Sequence, residues 1–96
     1  MTTPIEKYME TVGMTHNLTY TLMFLRNGDD ERMFKHAILL GEAIRVFPQN
    51  PPTLTKRQVL EFFWGFASVP IQVEHNPSKL ERFERARQAC FSAFGV

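Results

Sequence analysis

The chain has 96 residues, of which 44% are hydrophobic and 22% charged. That length suits one domain, and that balance belongs to an ordinary globular protein rather than a disordered segment. With 11 lysines and arginines against 10 acidic residues, the formal charge is +1, which excludes the strong basic excess that wholesale phosphate neutralisation needs.

The first segment, Thr3-Pro4-Ile5-Glu6, has the residues of a helix start. Thr3 can cap, proline suits the first helical position, and Glu6 completes a capping box. Ile5, Tyr8, Met9 and Val12 follow at helical spacing, and Gly13 is the expected stop. The next run, "THNLTYTLMFLRNG", reads two ways. As a helix capped by Thr15 it aligns Leu18, Leu22 and Leu25. As a strand it alternates Leu18, Tyr20, Leu22 and Phe24, and its threonines favour β structure. A strand needs a partner, and "SVPIQVE" is the one other β-like run, so the helix is preferred.

Asp29, Asp30 and Glu31 put negative charge at the start of a third helix. Met33, Phe34, Ala37, Ile38, Gly41 and Ile44 are its expected inner face, with Phe47-Pro48 at its end. After the proline-rich "PQNPPT", Thr55 and Gln58 form a second capping box for a helix containing "LEFFWGF". "SVPIQVEHN" is expected to be extended. A last helix then starts at Asn76-Pro77 or at the capping pair Ser78 and Glu81, and ends before Gly95, burying Leu80, Phe83, Ala86, Cys90, Phe91 and Phe94. The expectation is an all-α fold, a compact bundle of four to five helices in a single domain covering residues 1–96.

Residues that could carry chemistry are scattered. His16, His36 and His75 lie on different segments without the spacing of a helical metal site. Cys90 is the one cysteine, so no internal disulfide can form, and a reducing, cytoplasmic setting is expected. It also lies among aromatics, where a thiol is usually inert. Asp29 and Asp30 resemble paired acids, but helix capping explains them. The N-terminus lacks the apolar core of a signal peptide. No apolar run approaches the roughly 20 residues of a membrane span. A non-enzymatic chain without cofactor or metal is expected.

The aromatic helix has apolar residues around roughly 200° of its circumference, about twice what a half-exposed helix needs. Val59, Phe62, Phe63 and Phe66 are expected to fill the core. The Leu60/Trp64 edge is then the expected protein interface, because tryptophan concentrates binding energy, unless the helix runs through the middle of the bundle and buries that edge as well. Arg82 and Arg85 are its expected charged rim, and Arg87, inside the apolar face of the last helix, must reach solvent or meet a carboxylate, either Glu84 or one across the interface. The partner would be another protein or a second copy in a homodimer, and the chain a small regulator, adaptor or inhibitor.

Nucleic-acid binding is the main alternative, through Lys79, Arg82, Arg85 and Arg87 with Lys56 and Arg57 on the preceding helix. Interleaved Glu81 and Glu84 weaken it, as does an expected eight-residue connection where helix-turn-helix motifs use three or four. A small-ligand bundle would draw on Tyr8, Tyr20, Trp64 and Arg87.

Overall fold

Capping residues fix where the helices begin. In the computed structural model, which describes residues 3–95, Thr3 Oγ1 accepts from Glu6 N at 3.2 Å while Thr3 N donates to Glu6 Oε2 at 3.4 Å. This capping box, with Pro4 at the first turn, opens α1 (Pro4–Thr11). Gly13, at φ 77°, turns the chain directly into α2 (Met14–Asn27), a left-handed conformation that glycine adopts without steric cost. Residues 15–27 are therefore helical, and the helix starts at Met14, one residue before the expected Thr15 cap. Gly28, at φ 75°, ends α2. Asp29 N donates to Phe24 O and Gly28 N to Leu25 O, the paired bonds of a Schellman motif.

Asp29 accepts from Arg32 N at 3.2 Å and opens α3 (Asp30–Val46). The Lys56 ammonium donates to the carbonyls of Arg45 and Phe47, tying down the C-terminal end of α3. A second capping box, Thr55 with Gln58, opens α4 (Lys56–Val73). Asn76 accepts from Lys79 N at 3.1 Å and opens α5 (Pro77–Phe94).

The helices form an all-α bundle with a Cα radius of gyration of 12.9 Å, a compact value for this length. α3 packs against both α2 and α5. α3 and α5 come close at Gly41, where an added Cβ would collide with the Cys90 carbonyl and crowd Phe94 N. The core gathers Met14 and Leu25 from α2, Met33, Leu40 and Ile44 from α3, Leu60 and Trp64 from α4, and Phe83 and Cys90 from α5.

Most of the segment expected to be extended, "SVPIQVEHN", is instead helical: residues 68–73 end α4, with Pro70 inside the helix, and residues 74–76 connect it to α5. Proline removes the donor that would meet the Phe66 carbonyl, but Pro70 is exposed, while Ala67 and Ile71 beside it stay buried in helical register. Burial along that register holds the helix together across the defect. On α3, Leu40 belongs to the core and Ile38 is exposed, contrary to the expected inner face.

Candidate functional site

Two apolar stripes run along α4 with the same spacing. Leu60, Trp64, Ala67 and Ile71 are separated by four, three and four residues, and so are Phe62, Phe66, Val69 and Val73. At 100° per residue the outer stripe lies roughly 130° around the helix from the centre of the buried face. The first stripe is buried with Val59 and Phe63. The second is exposed: Phe62 60%, Phe66 73%, Val69 55% and Val73 68%. Isolated exposed apolar side chains are ordinary, whereas a contiguous row of them is the kind of surface on which interaction sites are found.

The partition therefore reverses the expected one. Trp64, expected at an interface, is 1% exposed. Its ring meets Phe83 edge-on at 5.5 Å and Phe63 at 6.4 Å. Leu60 is buried beside it. Phe62 and Phe66, expected in the core, stack on each other in the open, with centroids 6.5 Å apart and planes 22° from parallel.

Phe62 and Phe66 also wall an open groove of about 500 Å³ between α1, α2 and α4. Ile5, Met9, Leu18 and Phe63 line its other sides, and Thr3, Glu6 and Thr15 edge it. Tyr8, Tyr20, Trp64 and Arg87, the residues expected around a small ligand, are not among those lining it. Tyr8 is buried with an unpaired hydroxyl against the edge of Phe47, and burial raises its pKa. Tyr20 stacks beside His36 at 5.3 Å.

The two arginines expected at the interface rim, Arg82 and Arg85, and Arg87 on the apolar face of α5 all have partners within the chain. Arg82 Nε donates to Asp30 Oδ1 at 2.7 Å and Nη2 to the Leu25 carbonyl at 3.1 Å. It thus clips the α2–α3 corner to α5. Arg85 pairs with Glu81 at 2.7 Å, both well exposed. Arg87 meets Glu84 at 3.1 Å and lies 5.8 Å from the centroid of Phe91, which resolves the problem of a cation on an apolar face.

The other basic residues expected to touch nucleic acid are similarly occupied. Lys79 pairs with Glu74 and Arg57 with Glu61, and Lys56 holds carbonyls at the end of α3. A phosphate would have to compete with each of these contacts. The α4–α5 connection is only Glu74–Asn76, however, shorter than the expected eight residues and within helix-turn-helix range.

His36 Nδ1 lies 3.3 Å from Asn17 Oδ1. Burial, then Lys35 and His16, push its pKa below the usual histidine value. Cys90 is buried, and desolvation pushes its thiol up to about 11. The indole N–H of Trp64 favours the thiolate slightly, but it makes no hydrogen bond of good geometry and is left unpaired. Among the described residues no group of three or more His, Cys, Asp or Glu could hold a metal ion. No described helix is long and apolar enough to cross a membrane.

Val69 and Val73 escape the sequence reading because the run around Pro70, "SVPIQVEHN", is expected to be extended. Continuing the four-three-four spacing across that proline would have found them. No family model, curated protein or solved structure matches the chain, so its candidate site rests on this geometry.

Proposed function

We propose that the chain is a non-enzymatic protein-binding module that docks through the outer face of α4. The reading is carried by the unbroken row Phe62, Phe66, Val69 and Val73, exposed along three turns and joined to the groove at its aromatic end. Interfaces concentrate aromatic residues at their apolar centre. The action would be steric, as in a small regulator, adaptor or inhibitor. A cytoplasmic setting accords with the lone, unbridged Cys90.

A photo-crosslinking amino acid at position 66, compared in cell extract with one at exposed Gln88 on α5, tests the reading. Polypeptide adducts are expected from position 66 well above those from position 88. Equal yields, or none at 66, would overturn it. Nucleic-acid binding is the weaker alternative because the basic side chains of α5 are already paired. It requires duplex DNA affinity that falls steeply with added salt.

A further inference from the structure

The outer stripe is longer than the groove. Phe62 and Phe66 line the groove, while Val69 and Val73 lie beyond it. A small apolar molecule in the groove would leave the valine half of the row in water. From Phe62 to Val73 the row spans about 16 Å of helix, and its four-three-four spacing is the one that seats another helix of the same period.

The face carries both parts of a self-complementary contact. Phe66 projects from it at 73% exposure, and the groove opens directly beside it. A twofold interface needs projection and recess on one patch, because each copy presents the same surface. Charge does not oppose self-association. The flank nearest the stripe is Gln58, Gly65 and Gln72, and the whole chain carries only +1. Scaled by their exposures, the four side chains offer on the order of 400 Å² of apolar surface per copy. Two copies would then contribute about half of the roughly 1,600 Å² in a standard stable interface, leaving the groove edge and the uncharged flank to complete it.

Gly65 gives an independent indication. It is exposed within α4, and an added Cβ would meet nothing within 4 Å. Among the described residues no contact calls for a residue that weakens helices by about 1 kcal/mol relative to alanine. It lies three residues after Phe62 and four before Val69, where a missing side chain lets a second backbone come close.

We infer that the polypeptide docked on α4 is a second copy of this chain, paired antiparallel about a twofold axis through Phe62, Phe66, Val69 and Val73. The antiparallel sense follows from side-chain size. It sets the phenylalanine end of each stripe against the valine end of the other, so large meets small along the whole seam. A parallel pair would crowd phenylalanines at one end and leave a gap at the other. The inference rests on the protein-binding reading of the same face and names its partner.

Light scattering of the purified chain over a concentration series is expected to show the mass rising from one chain to two. Phe66→Ser should weaken pairing about tenfold or more with its circular dichroism spectrum intact. Gly65→Gln should also weaken pairing while unfolding no more readily, an outcome that a purely structural role for glycine does not give. In a mixture of Phe62→Cys and Val73→Cys copies, oxidation should form the mixed disulfide in preference to either symmetric one.

A strict monomer at every concentration would overturn the inference, as would a dimer indifferent to both substitutions. Dominant symmetric disulfides would overturn the antiparallel pairing. A monomer that retains a small apolar molecule in native mass spectrometry also sinks the second copy. If the chain is monomeric but position 66 labels foreign polypeptides, the second copy is wrong and the protein-binding reading survives. If nothing is labelled there, both fail.

Discussion

Trp64 and Phe66 sit two positions apart on α4, the first sealed among Phe63 and Phe83 and the second open to water. Their substitutions should differ accordingly. Trp64→Ala empties a packed site and is expected to cost about 3–5 kcal/mol, whereas Phe66→Ser should change the stability of an isolated chain by no more than about 0.5 kcal/mol. Urea unfolding followed by circular dichroism, at a concentration low enough to keep copies apart, measures both. Cys90 adds a pH dependence. Its folded pKa of about 11 lies above the ordinary 9.0, so the unfolded chain loses its thiol proton first as pH rises. Stability from the buried neutral thiol is complete below pH 9.0 and declines between there and about 11. Cys90→Ala should flatten that decline, read from urea midpoints across the window.

Along each element, most boundaries were legible because they rest on local chemistry: the Thr3 and Thr55 capping boxes, Asn76 before Pro77, and Gly28 closing α2. These motifs act within four residues and need no tertiary context. The reversal on α4 has a different origin. Two stripes of equal spacing compete for the interior, and the choice depends on what α5 presents, with Phe83 receiving Trp64. No periodicity within one helix carries that information. Pro70 stays within the helix for a related reason, since its local cost is outweighed by burial of Ala67 and Ile71 on either side. Pro70→Ala is therefore expected to raise stability, by up to about 3 kcal/mol, as a higher urea midpoint. At the α2–α3 corner, Arg82→Gln should loosen the clip to Asp30. A double-mutant cycle with Asp30→Asn should give a coupling of about 1 kcal/mol, the modest value suited to a partly exposed pair.

For the whole molecule, the all-α class followed from the helical segments and from there being only one short β-like run, "SVPIQVE", to partner any strand. The location of the exposed apolar stripe did not, because a surface is defined only after the helices choose which sides to bury. If two copies pair through α4, folding and association are linked. The thermal midpoint should then rise with protein concentration, and Phe66→Ser should remove the dependence, as differential scanning calorimetry at several concentrations would report. The placement of Trp64 has a practical consequence. It is the one tryptophan in the chain and it faces away from the proposed contact, so its fluorescence emission should follow loss of the core while barely registering a visitor on the far side of the helix. The molecule thus carries an intrinsic optical gauge of folding that is largely blind to docking, and the two events can be followed separately in one sample without an added dye.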